Sequence, residues 1–245
     1  MPLSKSKLKA LCAYRQTKVC EEENVFVIEG EKSVMEAIVA GVDIKRICAK
    51  VEWLEQNMER LPRGAETLEV TEEELERLSS MRQPNKVWMT ASRELPDIGL
   101  TDNGLVLALD RLQDPGNMGT LVRTADWFGV RRIVCSRDTV SRYNPKVVQS
   151  SMGSLFRVKV EYVDLAEWLG VCGMPVYGAT LDGEDVRKAT LDRPAVLVIG
   201  NEGRGISPEV SEHVSHKVKI PNTGGTCESL NAAVATAVLI SQWAM

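Results

Sequence analysis

The chain has 245 residues, 44% of them hydrophobic, and a formal net charge of -4 at pH 7. This length allows two modest domains or one large one, with enough apolar residues for a substantial core. The net charge does not indicate a protein that binds nucleic acid through its bulk charge, although local basic patches can still bind phosphates. No apolar run has the length of a membrane span or a signal peptide, so we expect a soluble cytoplasmic protein.

The cysteines and histidines argue against disulfides and metal sites. The six cysteines are scattered and form no CxxC pair, which predicts reduced thiols in a reducing compartment. His213 and His216 are the only histidines, and no His/Cys spacing of a metal-ligand type occurs. We therefore expect no metal.

The N-terminal stretch is predicted to be a basic helix over residues 4–19. Its cationic side chains are candidates for contacts with nucleic-acid phosphates, which attract lysine and arginine without sequence preference. These candidates are Lys5, Lys7, Lys9 and Arg15. A solvated helix face explains the same pattern equally well.

Residues 1–96 alternate predicted strands and helices, which indicates a small α/β domain. Strands are expected at 25–28, 44–49, 68–70 and 86–90, and helices at 32–40, 52–60 and 71–78. Thr71 and Glu74 have the spacing of a capping box, in which each side chain satisfies a backbone amide beside the other residue. Polar and helix-breaking residues then predict a linker at 97–103.

Residues 104–245 predict a doubly wound parallel α/β domain. The uninterrupted apolar runs at 105–109 and 195–199 are typical of parallel strands covered on both faces. Further strands are expected at 132–136, 155–160, 176–180 and 216–220. Helices are expected at 118–128, 144–152, 164–171 and 230–243, with a short one from Ser207. Ligands of such sheets bind beyond the carboxyl ends of the strands.

Three polar loops follow predicted strands. The first loop is Asp114–Gly119, the second is Gly200–Gly205 and the third is Ile220–Asn231. The glycines of the second loop favour positive φ angles and close backbone approach to a ligand. Its spacing is neither GxGxxG nor that of a P-loop, which disfavours a dinucleotide or triphosphate site. Taken singly, each loop is an ordinary turn, with Asn117 and Ser229 as helix N-caps.

Together, the three loops resemble the motifs of the SpoU (TrmH) branch of the SPOUT RNA methyltransferases. The matching segments are DPGNMGTLVRTAD, LVIGNEGRGIS and IPNTGGTCESLNAAVA, in the family's order and with its separation. The intervening NPKVVQSSMGSLFRV is also similar to the family. The N-terminal VFVIEGEKSVMEAI resembles the L30e-like substrate-binding domain that often precedes this fold.

The resemblance implies methyl transfer from S-adenosylmethionine to a ribose 2′-hydroxyl of RNA, by a homodimer whose C-terminal domain contains a deep trefoil knot. The two-domain layout is similar to that of enzymes acting on ribosomal RNA. The implied catalytic residues are Asn117, Arg123, Ser229 and Asn231, with Asn117 and Arg123 facing the ribose. The implied cofactor-binding residues are Gly200, Asn201, Glu202, Gly203, Ile220 and Leu230. The third loop is longer than the common pattern and has Asn222 where methionine is frequent, so contacts within 222–228 stay open.

Several alternatives remain at this point. The chain could be a catalytically silent RNA-binding protein, a small-molecule enzyme on the same sheet, or a methyltransferase for transfer RNA. Family proposals make the motif arginine the base, but a guanidinium has a pKa above about 12 and no acceptor when charged. We therefore expect Arg123 to orient the ribose and to stabilise the developing alkoxide. The small residues of the last helix permit dimerisation, and intrachain packing explains them equally.

Overall fold

The computed structural model describes residues 3–81, 85–97, 99 and 104–244. The chain divides into two compact units. The first comprises Met1–Asp97 with Tyr143–Phe156, and the second Ile98–Arg142 with Arg157–Met245. Most of the predicted linker at 97–103 lies outside the described residues. In the part of the chain that is described, no helix is both long and apolar enough to span a bilayer.

The first unit contains a four-stranded mixed sheet in the order β1-β4-β2-β3. Its strands are β1 (Val25–Glu29), β2 (Ile44–Ala49), β3 (Glu66–Glu69) and β4 (Val87–Ser92). β4 pairs antiparallel with both β1 and β2, and β3 pairs parallel with β2. The helices are α1 (Lys5–Cys12), α2 (Thr17–Glu22), α3 (Glu31–Val39), α4 (Val51–Asn57) and α5 (Glu72–Leu78).

The single helix predicted over residues 4–19 is wrong, because the chain breaks between α1 and α2. Ala13–Arg15 forms a 3-10 turn, and Gln16 is extended with φ -93° and ψ 123°. Leu8, Tyr14 and Cys20 all lie in one buried cluster. On a straight helix, Cys20 would be turned about 120° away from Leu8, so the break is what lets both be buried.

The predicted capping box at the start of α5 is confirmed. Thr71 Oγ1 accepts from the Glu74 amide at 3.2 Å, and Glu74 Oε2 accepts from the Thr71 amide at 2.9 Å. The second carboxylate oxygen of Glu74 also accepts from the Leu3 amide at 2.7 Å. The same side chain therefore caps the helix and holds the N-terminal segment.

The segment Tyr143–Phe156 belongs to the first unit, where α7 (Pro145–Ser151) packs against β1. Asn144 caps α7 as predicted, with its side chain accepting from the Lys146 amide at 2.9 Å. The strand predicted over 155–160 is wrong in its first half. Ser154–Phe156 instead forms a 3-10 turn, which places the Phe156 ring 6.5 Å from that of Phe26.

The second unit contains a six-stranded sheet in the order β10-β8-β9-β5-β6-β7, with every pairing parallel. The strands are β5 (Leu105–Leu109), β6 (Arg132–Ser136), β7 (Lys159–Val163), β8 (Val176–Asp185), β9 (Ala195–Ile199) and β10 (His216–Lys219). The helices are α6 (Pro115–Trp127), α8 (Leu165–Val171), α9 (Pro208–Ser211) and α10 (Ala232–Ala244), of which α10 packs against α6. The predicted α/β class is confirmed, and the trefoil knot stays a prediction.

Candidate active site

The three loops leave the carboxyl ends of parallel strands in the second unit. The first loop follows β5, the second follows β9 and the third follows β10. β5 and β9 are direct neighbours, and β8 separates β9 from β10. Because parallel strands end at the same edge of a sheet, the three loops share one edge, where ligands of doubly wound sheets bind.

Glu202 joins the second loop to the first. Its carboxylate accepts from Asn117 Nδ2 at 3.1 Å and from the backbone amides of Asp114 at 3.3 Å and Gln113 at 3.5 Å. Hydrogen bonds to an ionised acceptor are stronger than those between neutral groups. Glu202 therefore acts as an anionic anchor for the first loop.

Asn117 extends this connection to the third loop. Its Oδ1 accepts from Asn231 Nδ2 at 2.8 Å, while its Nδ2 donates to Glu202. The Glu202–Asn117–Asn231 chain thus ties together three segments that lie far apart in the sequence. The convergence of the loops that the motif resemblance requires is present.

Two helix caps differ from the sequence predictions. Asp114, not Asn117, caps α6, because its Oδ1 accepts from the Asn117 amide at 2.7 Å. The side chain of Asn117 is consequently free to bridge the loops. At α10 the cap is Asn231, not Ser229, since Asn231 Oδ1 accepts from the amides of the second and third helical residues at 2.9 and 3.3 Å. Ser229 is exposed and forms no hydrogen bond with the described residues.

The second loop is closed by a backbone bridge that only glycine permits. Asn201 and Gly205 exchange two backbone hydrogen bonds of 3.0 and 2.9 Å. A Cβ on Gly200 would lie 2.2 Å from the carbonyl carbon of Gly205. Of the three glycines, Gly205 alone has a positive φ, of 70°, so Gly200 is needed for close approach and not for its backbone angles.

The side chain of Asn201 is used within the fold. Its Oδ1 accepts from the amides of Gly203 and Arg204, each at 3.1 Å, and its Nδ2 donates to the Arg111 carbonyl at 2.8 Å. Asn201 therefore shapes the second loop and connects it to the segment after β5. Gly203 is exposed at the tip of the loop.

The sequence analysis missed a second set of contacts, between the segment after β5 and the segment after the second loop. The buried Asp110, the first residue after β5, accepts from the Ser207 amide at 2.6 Å. Arg111 donates to Glu209 at 2.8 Å. An aspartate directly after a fully apolar strand is the signal that could have indicated this role, since a buried carboxylate needs hydrogen-bond donors.

The backbone groups of the second and third loops fit a ligand that both donates and accepts hydrogen bonds. Among the described residues, the amides and carbonyls of Gly200, Ile220 and Leu230 have no hydrogen-bonding partner. Gly200 and Ile220 are half-buried, and buried backbone groups normally find a partner. Adenine and an amino-acid group offer complementary donors and acceptors, so these positions suit S-adenosylmethionine.

Arg123 is not brought into the Glu202–Asn117–Asn231 chain. It lies six residues beyond Asn117 on α6, which corresponds to about 9 Å along the axis and about 120° around it. Its side chain is exposed and has no hydrogen bond or ion pair with the described residues. The guanidinium is therefore available to a group from outside this part of the chain.

The four basic residues of the N-terminal segment differ in whether their side chains are already bound to other residues of the protein. Lys7 donates to Glu66 at 2.5 Å, and this hydrogen bond holds the pKa of the Glu66 carboxyl below its usual value. Arg15 is exposed and reaches the Arg77 carbonyl at 3.5 Å. Lys5 and Lys9 are exposed, and neither is paired with a described residue. Lys7 is thus the least available of the four.

Comparison with known families matches both halves of the chain. The family model described as the SpoU rRNA Methylase family matches residues 104–241. A model described as the MRM3-like substrate binding domain matches residues 5–88. The three motifs lie within the first match, and the N-terminal segment that resembled a substrate-binding domain lies within the second.

Relatives match over nearly the whole chain. The 23S rRNA (guanosine(2553)-2′-O)-methyltransferase RlmP of Bacillus subtilis is 32% identical, over 89% of this chain and 87% of that protein. A structure of a TrmH-family protein from Porphyromonas gingivalis has a TM-score of 0.88 at 37% identity, covering 99% of this chain and 98% of that one. An AdoMet-bound rRNA methyltransferase from Sinorhizobium meliloti has a TM-score of 0.86 at 29% identity, covering 99% and 95%.

We predict that Gly200→Ala destabilises the second unit by about 3 kcal/mol, because the new methyl group meets backbone atoms that cannot rotate away. Gly203→Ala is the matched control, since a Cβ there meets only the Asn201 Oδ1 at 3.8 Å. It should change stability by less than about 0.5 kcal/mol. Urea unfolding measures both, and equal stability of the two variants would contradict the close-approach argument.

Proposed function

The chain belongs to the SpoU rRNA methylase family, and we propose that it transfers the methyl group of S-adenosylmethionine to a ribose 2′-hydroxyl of ribosomal RNA. The observation that carries this proposal is the Glu202–Asn117–Asn231 chain, which holds the three motif loops at one edge of the sheet. The match of residues 5–88 to a substrate-binding domain supports a macromolecular substrate.

The cofactor would be held by backbone groups of Gly200, Ile220 and Leu230. These are the groups that have no partner among the described residues. Asn201 and Gly203 act indirectly, by shaping the second loop. Bound S-adenosylmethionine supplies a sulfonium methyl that is already activated, so positioning accounts for much of the rate.

The residues around the ribose do not offer an obvious base. Glu202 already accepts three hydrogen bonds, from the Asn117 side chain and from two backbone amides. Both ends of the Asn117 amide are engaged, and each end keeps capacity for one further hydrogen bond. Asn117 can therefore orient the ribose hydroxyl, while Arg123 stabilises the developing alkoxide and the adjacent phosphate. The proton passes to a neighbouring phosphate or to solvent. We include the exposed Ser229 among the proposed catalytic residues.

The active form is proposed to be a homodimer. Leu230, Val234 and Val238 follow one another at helical spacing of four, and all three are exposed, as is Trp127 at the end of α6. Because α10 packs against α6, Val234, Val238 and Trp127 belong to one pair of helices, and Leu230 lies two residues before α10. Exposed apolar patches mark interaction sites on soluble proteins, and we propose that these side chains form such a patch.

We place this activity in the cytoplasm. All six cysteines are free thiols, which agrees with a reducing compartment.

The direct test is methyl transfer from radiolabelled S-adenosylmethionine to purified ribosomal and transfer RNA, followed by mass mapping of ribose methylation. Labelled ribosomal RNA with a single mapped 2′-O-methyl supports the proposal. Labelling of transfer RNA alone would contradict ribosomal RNA as the substrate and indicate transfer RNA in its place. RNA binding without any transfer, and without cofactor binding by calorimetry, would favour a catalytically silent RNA-binding protein.

Arg123→Ala should abolish methyl transfer while leaving the affinity for S-adenosylmethionine near that of the wild type. The guanidinium is exposed on α6 and has no role in the loop connections, so only the transition state loses a partner. Turnover assays and calorimetry give the two quantities. Thr120→Ala, another exposed site on α6, is the control, and wild-type turnover of Arg123→Ala would remove this arginine from the mechanism.

RNA affinity should fall steeply with salt, partly through the N-terminal basic residues. The triple variant Lys5→Ala, Lys9→Ala, Arg15→Ala should lower the slope of log K against log salt by about 2, because each phosphate contact contributes about 0.7–0.9. Lys7→Ala should have a smaller effect, since Lys7 is paired with Glu66. Filter binding over a salt series measures the slopes, and an unchanged slope would exclude this segment from RNA binding.

Introducing charge into the exposed apolar strip of α10 should dissociate the dimer. Val234→Glu with Val238→Glu would place two carboxylates in the proposed interface, where unpaired charges are costly. Analytical ultracentrifugation at micromolar concentration should show a dimer for the wild type and a monomer for this variant. Val39→Glu, at a valine 82% exposed in the first unit, is the control. A monomeric wild type would contradict the proposal.

A further inference from the structure

The third loop is folded around one side chain, Asn222. Its Oδ1 accepts from the backbone amides of Gly224 at 2.9 Å and Gly225 at 2.8 Å. Its Nδ2 donates to the carbonyls of Gly225 at 2.9 Å and Cys227 at 3.4 Å. The amide group therefore contacts the backbone over most of the loop.

Among the described residues, no other hydrogen bond holds the backbone of the third loop in its conformation. Within 221–230, the hydrogen bonds among described residues are those of Asn222, and no backbone amide bonds to a backbone carbonyl there. Residues 222–230 are all exposed, so packing adds little. The conformation of the loop consequently depends on the Asn222 amide.

The glycines of this loop fit that arrangement in different ways. Gly224 has a φ of 111°, a conformation that other residues rarely adopt, although a Cβ there would meet nothing within 4 Å. A Cβ on Gly225 would make ordinary contact with Asn222 Oδ1 at 3.6 Å. The turn at Gly224 is what directs both glycine amides toward the Asn222 oxygen.

The loop connects the two groups proposed to hold the cofactor from this part of the chain. Ile220 lies two residues before Asn222, and Leu230 lies directly before Asn231, which is fixed to Asn117. The path between Ile220 and Leu230 therefore sets how their backbone groups face each other. A loop that sampled many shapes would present these groups correctly only part of the time.

We propose that Asn222 is a positioning residue that preorganises the third loop for S-adenosylmethionine. The inference rests on the proposed function, because it assigns Asn222 a role in binding the proposed cofactor. Asn222 shapes the loop from within and does not itself touch the reacting atoms. Its removal lowers the fraction of molecules with a binding-competent loop, which weakens apparent affinity by the same factor.

The test compares Asn222→Ala and Asn222→Asp with the wild type. Asp retains the oxygen that accepts from both glycine amides but loses the Nδ2 donor, whereas Ala loses every bond. If the competent fraction falls to a tenth, the dissociation constant for S-adenosylmethionine rises about tenfold in Asn222→Ala. Asn222→Asp should be intermediate. At saturating cofactor, kcat should stay within about twofold of wild type, so that the effect appears in KM.

Amide exchange gives a second readout that does not depend on activity. In the cofactor-free protein, the Gly224 and Gly225 amides should be protected in the wild type and in Asn222→Asp, and unprotected in Asn222→Ala. Thr223→Ala is the matched control, since this neighbouring exposed threonine has no hydrogen bond to a described residue. It should match the wild type in affinity and protection.

Two outcomes would overturn the inference alone: wild-type affinity in Asn222→Ala, or a loss of kcat at unchanged KM. A wild-type protein that binds no S-adenosylmethionine would instead overturn the proposed function. The two failures are therefore distinguishable in one set of calorimetric titrations.

Discussion

The site depends on the Glu202–Asn117–Asn231 chain of hydrogen bonds. Each of its members lies on a different loop, and the loops follow three different strands of the second unit. The middle member, Asn117, can bridge its neighbours because an amide donates at one end and accepts at the other. A carboxylate in its place could not donate to Glu202, and an apolar residue would leave the three loops without a common partner.

The Glu202–Asn117–Asn231 chain of hydrogen bonds is possible because the capping of α6 does not require the Asn117 side chain. Asp114 caps α6, which leaves the Asn117 side chain for the bridge. Asn231 performs both tasks, because its oxygen caps α10 while its nitrogen donates to Asn117. The start of α10 is consequently coupled to the start of α6, and the exposed apolar strip on α10 begins beside the site. The proposed dimer and the proposed active site therefore share a helix pair.

The two glycine-containing loops are held in different ways. The second loop is closed by backbone bonds between Asn201 and Gly205, and Gly200 makes the necessary close approach. The third loop has no backbone bond among its described residues and relies on the Asn222 amide. A loop organised by one side chain can open and close more readily than one with a backbone bridge, which suits the proposed role of the third loop in binding the cofactor.

The sequence by itself determined the α/β class, the parallel sheet of the second unit and the identity of the three motif loops. The α/β class and the parallel sheet follow from local signals such as uninterrupted apolar strands, and the capping box at Thr71 and Glu74 is another local signal. The three loops were identified by their joint resemblance to the motifs of a known family. Only the tertiary structure decided that Asn117 bridges loops without capping a helix while Asn231 does both, because the bridging partners lie more than eighty residues away. Tertiary packing also decided the break at Gln16, which lets Cys20 be buried. It likewise placed residues 143–156 in the first unit, where Phe156 packs near Phe26. Neither contact can be predicted from the local sequence pattern. Local periodicity specifies the elements of this protein, and long-range hydrogen bonding and burial specify its site.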